Sequence, residues 1–296
     1  VLFRMKDGQN VLLSDPKLWM EPAPKFTAAE PPFLGYNGHI YWLGPQKGWW
    51  SQQDVNPGKK ASSAGWPPDP FLTLGKYEVV EKSADSVKLK SPSSPVSGVQ
   101  IIKEISIKDG KAFLKATVTN LRDSEVSWDI WSNTRVSSNA SVYVPVSKDG
   151  GTIRMEFTAW SPEKDRALPY SITDGFLNFD NDSIALDKEH VFSSKTFISP
   201  KEPVIAAFSN GCLFLKRAAS VVPKDKLHAE HSFVEIYKLM GDIPIALTEL
   251  EMHGPFVALK PGESMSFEET WELIPCKNLN TPADRINFLK EKTKVL

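Results

Sequence analysis

Along most of this chain, apolar and polar residues alternate every second position or gather in short apolar runs closed by turn residues. That is the signature of half-buried and fully buried strands rather than of helices, whose apolar stripe recurs about every 3.6 residues. The runs HIYWLG (from His39), VQIIKEISIK (from Val99), AFLKATVTN (from Ala112), VSWDIWSNTRV (from Val126), CLFLKR (from Cys212), FVEIYKL (from Phe233), IALTELEM (from Ile245) and MSFEETWELI (from Met265) each predict a strand. Turn chemistry separates them, such as Lys108-Asp109-Gly110 and Pro261-Gly262-Glu263. Helical periodicity is confined to TPADRINFLKEK near the end, where Thr281 is a suitable N-cap, Pro282 fits the first helical position and Ile286 and Leu289 form a stripe. More than a dozen short strands and one terminal helix predict an all-β fold, a large antiparallel sandwich in a single domain over residues 1–296.

The strand from Val126 sorts its side chains unusually. Trp128, Ile130, Ser132, Thr134 and Val136 share one face, which reads as core; Asp129, Trp131, Asn133 and Arg135 share the other. An acid, an aromatic plate, an amide and a guanidinium in one row suit a ligand better than plain water. In IALTELEM the same parity places Glu249 and Glu251 together on the face opposite Leu250 and Met252, about 7 Å apart along the strand. The stretch from Gln46 to Pro70 is too rich in Gly, Pro and Ser to be strand. It carries Trp49, Trp50 and Trp66, which are costly to leave in water, so it predicts an ordered loop.

Composition removes several function classes. Lys and Arg number 35 against 36 Asp and Glu, with no basic stripe, so a nucleic-acid partner is not expected. No apolar run approaches the roughly 20 residues of a membrane-spanning helix. Cys212 and Cys276 are far apart in sequence, which leaves a disulfide and two separate thiols both open. His228 and His231 fall in a loop, LHAEHS, and neither a metal site nor any other cofactor is expected there.

Four motifs in order, YNGHIYWLGPQKGWW, SPSSPVSGVQIIKEISI, LKATVTNLRDSEVSWDIWSNTRV and LTELEMHGPFVALKPGESMSFEETWEL, resemble the galactose-mutarotase-like superfamily, most nearly a bacterial branch of it known as a domain of unknown function. The resemblance spans roughly residues 35–273. It implies a supersandwich whose concave sheet holds a carbohydrate. In that family a His in a pattern close to His-x-Tyr-Phe-Asn serves as acid, and a Glu on a late strand before a Pro-Gly-Glu turn serves as base. Matching the asparagine at Asn133 puts Asp129 where the His stands. The base falls on Glu251 or Glu249, with Glu251 at the better distance from the turn.

The resemblance thus implies a carbohydrate-binding or carbohydrate-processing protein. Trp131 would be the stacking plate, Asn133 and Arg135 would read hydroxyls or the carboxylate of a uronic acid, and Trp49, Trp50 and Trp66 would fold over the open side. An aldose 1-epimerase using Glu251 or Glu249 as base and His39 or Asp129 as acid is the alternative, and a scaffold without a small-molecule site is a plainer one. The chain begins at Val1 rather than Met, as a processed form does, and the resemblance adds a periplasmic or secreted location.

Overall fold

The computed structural model describes residues 2–22, 24–148, 153–157, 170–179, 191–244 and 246–293. The predicted start of the late strand at Ile245 therefore lies outside the described residues. In chain order the strands are β1 (His39–Gly44), β2 (Glu78–Lys82), β3 (Ser86–Lys90), β4 (Val99–Lys108), β5 (Lys111–Asn120), β6 (Val126–Val136), β7 (Ser141–Pro145), β8 (Ile153–Phe157), β9 (Ser171–Thr173), β10 (Phe176–Phe179), β11 (Phe192–Ile198), β12 (Val204–Ser209), β13 (Cys212–Ala218), β14 (Val234–Met240), β15 (Leu247–His253), β16 (Val257–Leu259) and β17 (Ser264–Pro275). They form two antiparallel sheets. One runs β1-β6-β15-β14-β11-β8, with β16 beside the start of β6; the other runs β2-β3-β4-β5-β17-β13-β12-β7-β10-β9.

Local sequence explains the hairpins. Asp109-Gly110, Asp174-Gly175 and Asn210-Gly211 link β4 to β5, β9 to β10 and β12 to β13, and every one of these six residues has positive φ. Two consecutive left-handed residues make the turn whose twist matches that of the flanking strands, which is why Asn or Asp followed by Gly sits there. The C-terminal helix forms as its signals predict: Thr281 Oγ1 accepts from Asp284 N while Asp284 Oδ2 accepts from Thr281 N, a reciprocal cap. Its Ile286 and Leu289 are buried against Tyr143, Phe176, Val204 and Leu213 of the larger sheet.

The two sheets enclose a continuous apolar core, from Ile101, Leu114 and Val118 to Trp128, Ile130, Leu250 and Met252. A lysine of the larger sheet reaches across it. Lys216 of β13 is fully buried and its Nζ donates to Ser132 O, Ser132 Oγ, Thr134 Oγ1 and Leu250 O at 2.8–3.0 Å, tying β13 to β6 and β15. The inner face of the seven-stranded sheet is thereby fixed as the one bearing Trp128, Ile130, Ser132 and Thr134. The row Asp129, Trp131, Asn133 and Arg135 is on the outer face.

The tryptophan-bearing segment is ordered and carries two short helices, α1 (Pro57–Ala61) and α2 (Pro70–Thr73). Cys212 and Cys276 are free thiols.

Candidate functional site

Register builds the outer face. Across β6 and β15, Glu249 stands opposite Arg135, Glu251 opposite Asn133 and His253 opposite Trp131. On the far side of β15, Glu235 of β14 pairs with Glu251 and Tyr237 with Glu249, and Lys195 of β11 pairs with Tyr237. On the near side, Trp42 of β1 stands opposite Trp131 and Gly44 opposite Asp129. Period-two alternation on four neighbouring strands thus gathers three glutamates, an aspartate, a histidine, a lysine, an arginine and an amide on one surface.

Nearly all of this surface is withdrawn from water. Asp129, Asn133, Glu235, Glu251 and His253 are fully buried, with Arg135 and Glu249 5% and 7% exposed. Arg135 Nε donates to Glu249 Oε1 at 2.7 Å and Nη1 to Asn37 Oδ1 at 3.0 Å. Asn133 Nδ2 donates to Glu251 Oε1 at 2.9 Å. Lys195 Nζ sits 2.6 Å from Glu235 and 2.8 Å from Glu251, and 4.3 Å above the centre of the Trp131 ring. His253 Nδ1 lies 3.2 Å from Asp129 Oδ1, and His231, from the loop before β14, places Nδ1 2.9 Å from Glu235 Oε1. The two imidazoles stack with centroids 4.0 Å apart.

Burial and neighbouring charge pull the titrations apart. Burial pushes the Glu251 carboxyl up to about 8; Lys195 opposes this, while Glu249 and Glu235 add to it. Burial also works against charge on Glu235, but Lys195 and His253 outweigh it and hold that carboxyl well below the usual range. For His253, burial favours the neutral ring, yet Glu235 and Asp129 together push it up to about 9. His231 is lowered by burial and by the neighbouring charge of His253. Of the two stacked imidazoles, one is shifted toward its charged form and the other toward its neutral form.

The residues singled out from sequence separate into two sets. Asp129, Trp131, Asn133, Arg135, Glu249 and Glu251 share the outer face. His39 does not join them: strand parity sends it inward, where Nδ1 lies 2.9 Å from Thr134 Oγ1 and the ring meets Trp271 edge-on. Nor is Trp131 an open plate. It is 2% exposed, covered by Trp42, Trp49, His253 and Lys195. Trp49 packs against it with Nε1 bonded to Leu43 O, whereas Trp50 is fully buried beneath the loop and donates to Pro67 O. Trp66 remains 46% exposed, tilted against Phe33 and Trp49.

Three participants escape a reading of single runs. His253 is one alternation beyond Glu251, a legible signal had the strand been extended by two residues. Glu235 shows the same parity in FVEIYKL, but nothing local marks it. Lys195 lies in FSSKTFI, whose small polar residues hide the strand altogether.

Gly44 is set by the same face. A Cβ there would come within 2.6 Å of both carboxylate oxygens of Asp129, so any larger residue would displace that buried carboxylate. Beside the buried row, a cleft of 180 Å³ wraps the edge strand β1; Trp19, Phe33, Tyr36 and Trp42 wall it, and Asn37, His39 and Lys103 supply polar groups. Asn37 belongs to both, lining the cleft while accepting from Arg135.

Solved structures similar to this one include galactose-mutarotase-like proteins. A galactose mutarotase-like protein from Lactobacillus casei is 10% identical, with a TM-score of 0.47 over 69% of this chain and 75% of its own. One from Clostridium acetobutylicum is 13% identical, with a TM-score of 0.46 over 81% and 80%. A galactose mutarotase related enzyme from Lactobacillus acidophilus is 10% identical, with a TM-score of 0.42 over 70% and 74%. No curated protein matches the chain in sequence. Residues 1–274 match the family model described as domain of unknown function DUF4380, and the chain belongs to that family.

Proposed function

We propose that this protein handles carbohydrate, binding a saccharide in the cleft around β1 and against the Arg135–Glu249 end of the buried row. The observation that carries this reading is the junction at Asn37, where aromatic walls meet a rigid set of planar polar groups. Sugars offer apolar C–H faces and hydroxyl edges, and sites for them pair aromatic faces with side chains that donate or accept two hydrogen bonds. Trp19, Phe33, Tyr36 and Trp42 are the faces here, and Asn37, His39 and Lys103 meet the edges.

Binding is favoured over anomeric epimerisation by burial. Glu251 and Asp129, the base and acid of the epimerase reading, are fully enclosed, and His39 lies on the opposite face of the sheet from both. Because Arg135 is already engaged by Glu249 and Asn37, a neutral sugar suits the site better than a uronic acid. No helix among the described residues is long and apolar enough to cross a membrane. A periplasmic or secreted setting goes with this reading.

The test is saturation-transfer NMR with a panel of aldoses and uronic acids, run on the parent protein and on Asn37→Ala and Trp42→Ala. Transfer to at least one sugar, weakened in both variants, is expected. Absence of transfer from every sugar would overturn the binding reading, and anomeric exchange cross-peaks catalysed by the parent would replace it with the epimerase one.

A further inference from the structure

Two groups of three metal-ligating side chains meet on the outer face and share His253: Asp129, His231 and His253 in one, Glu235, Glu251 and His253 in the other. Within each, one donor atom per residue lies within 4.8 Å of the other two. The second group already has a counter-ion, because Lys195 bridges Glu235 and Glu251 at 2.6 and 2.8 Å. In the first group no lysine or arginine takes that part, and Asp129 faces only histidine. Among the described residues no lysine or arginine pairs with Asp129, whose fully buried carboxylate meets only His253 through Oδ1, while Oδ2 is buried without a partner.

The histidines complete the pattern. His231 gives Nδ1 to Glu235 and leaves Nε2 buried and unpartnered. His253 gives Nδ1 to Asp129, and its Nε2 has only a 3.5 Å approach to Glu235 Oε1. Glu235 thus stands at one nitrogen of each ring, leaving Nε2 of His231 and Nδ1 of His253 as the ligand atoms beside Asp129; metal-binding histidines are held in this way, one ring nitrogen oriented by a carboxylate and the other left for the ion. Asp129 Oδ2 and His231 Nε2 are thus buried without partners beside His253, and buried polar atoms are ordinarily either hydrogen-bonded or metal-bound.

We propose that Asp129, His231 and His253 form a site for a divalent transition-metal ion of the zinc type, with Glu235 orienting the His231 ring. Two imidazole nitrogens and one carboxylate oxygen suit Zn²⁺ and its first-row neighbours, whereas Mg²⁺ and Ca²⁺ take oxygen ligands. The assignment does not rest on the saccharide reading, since the metal is measured with no sugar present.

Chelator-stripped protein titrated with Zn²⁺ in a calorimeter is expected to bind one equivalent and to melt at a higher temperature when loaded. Co²⁺ in its place should give the visible d–d absorption of an ion with nitrogen and oxygen ligands. His231→Ala, in a loop rather than a strand, should weaken Zn²⁺ binding by at least about tenfold to a hundredfold while its metal-free melting stays near the parent's. His228→Ala, which removes the neighbouring histidine outside the group, should bind as the parent does. If the His231 variant fails to fold, Zn²⁺-dependent shifts of the His231 and His253 ring signals in the parent's NMR spectrum decide the matter instead. A parent that takes up no stoichiometric Zn²⁺, or binding that survives His231→Ala and is lost in His228→Ala, overturns the assignment.

Discussion

The two faces of β6 are equally dry and chemically opposite. Inward, Trp128, Ile130 and Val136 join the core between the sheets, and the polar groups there, Ser132 and Thr134, are bonded to Lys216. Outward, Asp129, Trp131, Asn133 and Arg135 are buried to the same degree, yet Oδ2 of Asp129, Nε1 of Trp131 and Oδ1 of Asn133 have no partner. A folded protein leaves few such atoms, because each buried polar group without a partner costs about 1 to 3 kcal/mol. On β6 itself, then, the inner polar side chains are satisfied through Lys216 while three outer atoms are not.

That contrast can be broken or sharpened by substitution. The largest effect is expected at Trp128, fully buried with Nε1 donating to Ser97 O: Trp128→Ala should lose about 3 to 5 kcal/mol in urea denaturation. Its neighbour on the other face comes next. Trp131→Ala should cost about 2 to 3 kcal/mol, less than a tryptophan in an apolar core, because water can enter among Lys195, His253 and Asn133 and meet polar groups. A loss at Trp131 larger than at Trp128 would show that the outer face is the more tightly packed of the two.

The buried ammonium tests the inner face from the other side. Lys216→Met removes a donor to four acceptors and should cost about 1 to 3 kcal/mol near neutral pH. Burial pushes the Lys216 amine down to about 8 from the ordinary 10.5, with Glu269 partly countering. Between these values the unfolded chain binds more protons than the folded one, so the contribution of this group to stability rises as the pH rises through that window. The parent should therefore gain about 2 to 3 kcal/mol relative to Lys216→Met between about pH 7.5 and about pH 10. A difference that stays flat over that range would mean that Lys216 keeps its charge between the sheets.

The smallest effect is expected at Trp66, at the outer edge of the covering loop. Trp66→Ala should change stability by no more than about 0.5 kcal/mol, as substitutions of half-exposed side chains usually do. A substantial loss of stability would place it in the cover over Trp131 with Trp49.

The sequence by itself determined the architecture and most of the strands. Period-two alternation states which residues share a face, Asp-Gly and Asn-Gly pairs state where the chain reverses, and Thr281 with Pro282 states where the helix begins; all of these are local. It determined equally that Asp129, Trp131, Asn133 and Arg135 stand together, and that Glu249 and Glu251 do. It did not reveal β11, whose Ser-Ser-Lys-Thr run lacks the apolar beat, nor therefore Lys195.

Only the tertiary structure decided which side of each sheet is covered. His39 alternates with Ile40 and Trp42, and nothing local says which parity turns toward the second sheet; the packing of Trp271 and Thr134 around its ring does. Trp131 reads as an open plate until the Trp49 loop, distant in sequence, is laid over it. His231 and His253 come from separate segments, and only the antiparallel pairing of β14 with β15 brings their rings to 4.0 Å. Strand periodicity is set by bonds between neighbours along the chain. Enclosure and charge pairing are set by contacts between residues a hundred or more positions apart, such as Asn133 with Glu251 and His253 with Asp129, and those follow from register that no single run contains.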